Sequence, residues 1–174
     1  MKALFLALIL SACSRAPWHM TDVTGSVPRL SFNLDGVTAD RFRGKVVALY
    51  FGYTHCPDVC PTTLSDLTQM LDAVKSPNVV VLFVTVDPDR DTAPVLTQYT
   101  HAFSPQIVGL RGDANQLAAL ARTYRVAYSV NKGPPYSVMH SNAVFFFDAS
   151  GRARLVTTDT SHPDDMAQDV KRLL

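Results

Sequence analysis

The sequence predicts an α/β domain built on a central mixed β-sheet with helices flanking it. Two short apolar runs, Val46–Phe51 (VVALYF) and Asn78–Val86 (NVVVLFVTV), lack the polar alternation of a half-exposed strand, so they read as strands covered on both faces. A helical stripe lies between them, which makes the pair parallel and joined by a right-handed crossover. A later strand, turn, strand and helix complete the pattern.

Each element has its own local reason. Val46–Phe51 leads into the loop Gly52-Tyr53-Thr54-His55, and Pro61 suits the first residue of a helix. Leu64, Leu67, Leu71 and Val74 follow at spacings of three and four, one face of a helix that ends near Ser76-Pro77. After the second strand, Asp87–Thr92 is a polar loop. Ala93–Phe103 carries Val95, Leu96, Tyr99 and Phe103 on or near one helical face. Ile107–Leu110 is a short strand, Gly112-Asp113 a turn, and Asn115–Tyr124 helical in composition. Lys132–Pro135 reads as a loop and Ala143–Phe147 (AVFFF) as a strand. Asp148–Gly151 turns the chain, Arg154–Thr158 returns as its hairpin partner, and Pro163 opens an amphipathic helix to Leu174. The order β-α-β, extra helix, β-β-α is the thioredoxin layout. Chemistry in such sheets gathers at the carboxyl ends of the strands, and Gly52–Cys60 lies at one.

Composition narrows the function. The 174 residues carry 16 Lys+Arg against 15 Asp+Glu, and 47% are apolar, enough for one folded domain with a sizeable core. A net charge of +1 supplies no field for nucleic acid. The apolar run near the start, Ala3–Leu10, is far short of the roughly 20 residues a spanning helix needs. Met1-Lys2, that apolar run and Leu10-Ser11-Ala12-Cys13 read instead as a secretory signal peptide over residues 1–12. A cysteine at the cut site resembles the lipobox of bacterial lipoproteins. Cys13 is therefore expected to be lipidated, with residues 13–28 a slack tether and 29–174 the folded domain. That domain would lie in the bacterial cell envelope, facing the periplasm or extracytoplasmic space, and touch the membrane by its lipid anchor only.

Cys56 and Cys60 then remain as the only thiols of the mature domain. A bond between residues four apart closes a tiny loop and adds little stability, so the pair looks chemical. Four residues apart on a helical turn, they share a face within disulfide reach, and a helix N-terminus favours thiolate. They could be redox partners or soft metal ligands. A thioredoxin-type reductant has Cys-x-x-Cys, one residue shorter. A c-type haem site needs a histidine after the second cysteine, and here His55 precedes the first. A closed zinc site needs more Cys or His ligands. A peroxidatic Thr-x-x-Cys is absent. Two thiolates and an imidazole would suit copper. Of the five histidines, His19, His101 and His162 read as surface residues and His55 diverges from its neighbour. His140 precedes a strand whose leading segment faces the cysteine loop in this layout, usually with a cis-proline. Here the nearest upstream proline is Pro135. Position makes His140 the best third ligand and leaves redox exchange equally open.

Phe51–Leu64 (FGYTHCPDVCPTTL) is similar to the signature of the Sco/SenC copper chaperones. Val86–Thr92 (VDPDRDT), Phe103-Ser104-Pro105, Val108-Gly109-Leu110, Tyr124-Arg125-Val126 and His140-Ser141 resemble further blocks, and the likeness runs from about Gly44 to Leu174. It implies a thioredoxin-fold, membrane-anchored copper metallochaperone for the dinuclear copper centre of cytochrome c oxidase subunit II. Copper, as Cu(I) or Cu(II), would sit on Cys56, Cys60 and His140. Partners would be subunit II, other periplasmic copper chaperones and thiol reductants. The alternative it implies is a thiol–disulfide oxidoreductase, with Cys56 and Cys60 as a redox-active dithiol that reduces the oxidase cysteines. Family members commonly carry Asp directly before the histidine; Met139 stands here and reads first as a buried packing residue and second as a soft thioether ligand. Asp91 reads first as a helix cap and then as a partner contact, Asp87 as a rim residue, and Tyr53 and Pro57 as shapers of the loop.

Overall fold

The computed structural model describes residues 16–174; the signal peptide and Cys13 lie outside them. The chain runs β1 (Thr21–Asp22), β2 (Asn33–Leu34), β3 (Val37–Thr38), a 3-10 turn over Ala39–Phe42, β4 (Val46–Gly52), α1 (Val59–Val74) and β5 (Val79–Thr85). It continues through α2 (Ala93–His101), β6 (Ile107–Leu110), α3 (Ala114–Thr123), β7 (Tyr128–Asn131), β8 (Ser137–His140), β9 (Val144–Phe147), β10 (Ala153–Thr157) and α4 (Pro163–Lys171). Six strands form the main sheet in the order β1-β10-β9-β4-β5-β6. The central mixed sheet flanked by helices is the thioredoxin-like arrangement that the element order predicts.

β4 and β5 are buried along their whole length, as their unbroken apolar runs require, and pair in parallel from Val46↔Val79 to Gly52↔Thr85. β6 adds in parallel on the far side of β5. β9 runs antiparallel to β4, with Tyr50 opposite Val144. That register puts the residues before β9 beyond the carboxyl end of β4. α1 packs against α4 and α2 against β6. Gly109 lets α2 close on the sheet, since a Cβ there would stand 2.6 Å from Leu96 Cγ.

The structure departs from the sequence reading in three places. The helix after the cysteine loop starts at Val59, so Cys60 is already helical and Pro61 sits in the first turn, where its missing N–H has no partner to lose. The expected loop at residues 132–135 is present, with a cis Pro134–Pro135 bond, but the segments on either side of it, given no strand by the sequence reading, pair as an antiparallel ribbon, β7–β8. Residues 16–28, expected as slack tether, are in large part docked. β1 pairs with β10, and the backbone N–H groups of His19 and Met20 donate to the fully buried Asp169 carboxylate at 2.8 and 2.9 Å. Arg172 donates to the carbonyls of Ala16 and Pro17 and lies 3.6 Å from the centre of the Trp18 ring. These are long-range contacts, with no local periodicity to betray them.

Candidate metal centre

The loop after β4 and the first turn of α1 hold the two thiols, both free. α1 lacks a side-chain cap at Asp58. Instead Cys56 Sγ accepts the Cys60 N–H at 3.4 Å, standing where a cap oxygen would. Burial raises the Cys56 pKa, but the N–H groups of Cys60 and Asp58 outweigh it and leave the thiol below its ordinary value. Cys60 is fully buried, and burial pushes its thiol up to about 12. The two sulfurs are thus unequal: a half-buried, thiolate-prone one and a fully buried, protonated one.

Gly52 makes room for this arrangement. A Cβ on it would lie 2.9 Å from Cys60 Sγ and 2.6 Å from Phe83 Cε2. Tyr53 then closes the turn, its carbonyl accepting the Cys56 N–H at 3.3 Å. The loop is fastened from below by Asp91, which is fully buried. Its carboxylate accepts the Thr54 N–H at 3.0 Å, the Thr54 hydroxyl at 2.6 Å and the Thr85 hydroxyl at 2.6 Å. Asp91 is therefore neither a helix cap, a position held by Thr92, nor an exposed partner contact. Asp87 likewise is buried rather than on the rim.

His140 arrives from the end of β8. Its Nε2 is 3.3 Å from Cys60 Sγ, and with Cys56 Sγ the three donor atoms all lie within 4.8 Å of one another. Among the described residues, no other group of three Cys, His or acidic side chains meets at metal-binding spacing. Nδ1 is 3.0 Å from the carbonyl of Ser141, which can only accept, so Nδ1 carries the proton and the Nε2 lone pair faces the sulfurs. This backbone carbonyl orients the ring without the preceding aspartate. The ring is wedged edge-on between Tyr53 and Tyr50, with centroids 5.8 and 6.1 Å away. Burial lowers its pKa against the opposing Ser141 carbonyl, which keeps the imidazole neutral and ready to coordinate.

The remaining histidines stay apart from the thiols. His55 Nδ1 contacts Thr54 Oγ1 at 3.0 Å, His19 bonds Asp169, and His101 and His162 are exposed at helix ends. Met139 is 71% exposed, so it is not the buried packing residue expected. Sequence reasoning missed Tyr50, Gly52, Thr54, Thr85 and Ser141. One signal was available: Thr85 is the single polar residue within the otherwise apolar β5.

The donor set suits a soft ion. Donors bound to one metal at roughly 2.3 Å each stand at most about 4.6 Å apart, so a small inward shift closes these three around a single ion. Two sulfurs and one imidazole match copper better than a closed zinc site with four ligands. The centre opens to solvent through a cleft of 490 Å³ lined by Tyr53, Cys56, Pro57, Val59 and His140.

Known proteins share this architecture. Human "Protein SCO2 homolog, mitochondrial" is 40% identical over 154 residues, 83% of this chain and 54% of that protein. The chain spans about half the length of the first curated relatives it matches. The copper-bound crystal structure of Arabidopsis thaliana ScoI superposes with a TM-score of 0.76 at 32% identity, over 83% of this chain and 96% of that one. Copper-bound ScoI of Bradyrhizobium japonicum gives 0.73 at 34% identity, over 84% and 98%. The SCO1/SenC family matches residues 30–174, a stretch that holds both thiols and the imidazole that meets them, and the chain belongs to that family.

Proposed function

We propose that the domain is a copper carrier that holds one ion on Cys56, Cys60 and His140 and delivers it to the dinuclear copper centre of cytochrome c oxidase subunit II. The observation that supports this is the imidazole. Thiol–disulfide exchange has no need of His140, yet its bare Nε2 stands beside Cys60 from 80 positions away in sequence. Delivery would proceed by ligand exchange through the open cleft, with incoming donors replacing His140 and the sulfurs one at a time and no net redox change. A Sco neighbour of known structure, 20% identical, is described as a member of the Sco family of cytochrome c oxidase assembly proteins.

A second reading is favoured by the unequal sulfurs. As a thiol–disulfide oxidoreductase, the Cys56 thiolate would attack a partner disulfide and expel one partner thiolate. The resulting mixed disulfide would be resolved by Cys60, which loses its proton and attacks Cys56 Sγ. Two electrons pass to the partner, which leaves as a dithiol, and Cys56–Cys60 becomes the disulfide.

One experiment separates the two readings: copper titration of the reduced protein alongside a disulfide-reduction assay. His140→Ala weakens Cu(II) binding by at least about tenfold and leaves disulfide reduction at the wild-type rate. Unchanged copper affinity would remove His140 from the ligand set and leave only the exchange reading.

No helix among the described residues is long and apolar enough to cross a membrane. We propose that lipid on Cys13 anchors the chain, with the domain outside the cytoplasm. Cys13→Ser then releases the protein from the membrane fraction, and an unchanged partition would refute the anchor.

A further inference from the structure

The ribbon that carries His140 has only a partial apolar hold on the rest of the domain: Tyr128 and Val138 pack against the core, and both are only half-buried. β7 and β8 form a two-stranded sheet of their own, unpaired with the main sheet. No residue of either strand is buried. Beside the ribbon lies a cleft of 630 Å³, with Tyr128 and Lys132 on the ribbon side and Arg111 and Leu117 opposite, where a packed interface would otherwise be. Segments with so few buried contacts open at low free-energy cost.

Polar ties add to the wedging of His140 between Tyr50 and Tyr53 in holding the ribbon down. Tyr136, Val138 and His140 alternate onto one face of the strand, with Ser137 and Met139 on the other. Tyr136 Oη donates to Asp87 Oδ1 at 2.6 Å. Arg90 Nε donates to the second oxygen of the same carboxylate at 2.5 Å. The Arg90 guanidinium carbon lies 4.0 Å from the centre of the Tyr136 ring and 5.9 Å from that of Tyr53, whose ring stands perpendicular to His140. Lys132, near the ribbon tip, pairs with Asp89. The Asp87 N–H donates to Thr85 Oγ1, which donates to Asp91, which in turn accepts from Thr54. One continuous network thus joins the His140 ribbon to the cysteine loop.

We propose that Tyr136 and Arg90 are positioning residues for the metal centre. They clasp the ribbon to the loop between β5 and α2, and the fraction of molecules with the clasp closed sets how tightly the imidazole holds the ion. With the clasp open, His140 withdraws with the ribbon, the ion stays on the two sulfurs, and a coordination position faces the cleft. The clasp then governs release as well as affinity. This rests on His140 being a copper ligand, as in the reading above.

Tyr136→Phe in the full chain tests the proposal, because it removes one hydroxyl and keeps the ring. Reduced protein is titrated with Cu(II), and amide hydrogen exchange is followed across residues 128–140. A partly exposed hydrogen bond to a carboxylate predicts Cu(II) affinity weaker by about three- to tenfold and ribbon exchange faster by a similar factor. The thermal midpoint and the Cys56 alkylation rate stay at wild type. Arg90→Gln weakens copper binding and loosens the ribbon alike, and also lowers the thermal midpoint because it leaves the buried Asp87 carboxylate without its cation. Placed on His140→Ala, neither substitution changes copper affinity further, an outcome a general loss of structure would not produce. If His140→Ala weakens copper binding while Tyr136→Phe leaves affinity unchanged, the clasp is overturned and the carrier reading stands. If His140→Ala itself leaves copper binding unchanged, both fall.

Discussion

Gly52→Ala tests the close fit on which the centre depends. The added methyl would stand 2.6 Å from Phe83 Cε2, 2.9 Å from Phe83 Cζ and 2.9 Å from Cys60 Sγ. All three contacts are closer than real Cβ atoms come, and none of the neighbours is free to move. Phe83 is fully buried in the central strand β5, and Cys60 is fully buried in the first turn of α1. Overpacking of this kind costs about 1–3 kcal/mol. For a domain near 150 residues that lowers the thermal midpoint by about 2–12 °C. It also pushes Cys60 Sγ away from the strand by several tenths of an ångström, spoiling its 3.3 Å approach to His140 Nε2. Gly112→Ala is the control, because its new Cβ would meet Gln116 Oε1 and Leu34 Cδ2 at 2.8 and 2.9 Å, a comparably close fit away from the thiols. Thermal unfolding and Cu(II) titration of both variants decide the matter. Gly52→Ala loses stability and copper affinity together, whereas Gly112→Ala loses at most stability. Wild-type midpoint and affinity for Gly52→Ala would refute the close-fit argument.

Three further outcomes follow from the same geometry. Because the Cys56 pKa is lowered and that of Cys60 raised to about 12, thiolate appears at Cys56 first as pH rises; alkylation near pH 8 followed by peptide mass spectrometry labels Cys56 ahead of Cys60, and equal labelling would contradict the assigned asymmetry. Asp91→Ala strands the buried Thr85 hydroxyl and the Thr54 N–H and hydroxyl, so urea unfolding shows a loss of about 2–3 kcal/mol, and a loss under about 0.5 kcal/mol would show that Asp91 does not fasten the loop. Asp169→Ala removes the acceptor for the His19 and Met20 N–H groups, so limited proteolysis cuts within residues 16–22 much sooner than in wild type; an unchanged rate would mean the remaining contacts of Arg172 and β1 suffice.

Much of this protein is legible from local pattern. β4 and β5 announce themselves as unbroken apolar runs because a strand covered on both faces has no polar side to alternate with. α1 shows its buried stripe at three- and four-residue spacings, and the two thiols stand together because the loop that holds Cys56 feeds directly into the first turn of α1, which holds Cys60. Local pattern was silent where the contact was long-range. β7 and β8 bury no residue, so they leave no clear hydrophobic period to read. The strap at residues 16–22 is held by Asp169 and Arg172, nearly the whole chain away. Asp91 looks like a cap from its place before a helix, and only the approach of Thr54 and Thr85 makes it the floor of the site.

Local pattern along the chain is enough for the layered α/β fold, the pair of sulfurs at a helix start and the residues that mark the family. Long-range packing selects the histidine that meets the sulfurs and its orientation. The antiparallel register of β9 on β4, with Tyr50 opposite Val144, carries residue 140 past the end of β4 and over the cysteine loop. The Ser141 carbonyl then selects the tautomer and two tyrosines fix the ring. Spacing along a chain reports only which residues share a face within one element. Which faces meet is set by strand pairing across the sheet, and that pairing is settled only when the whole core closes.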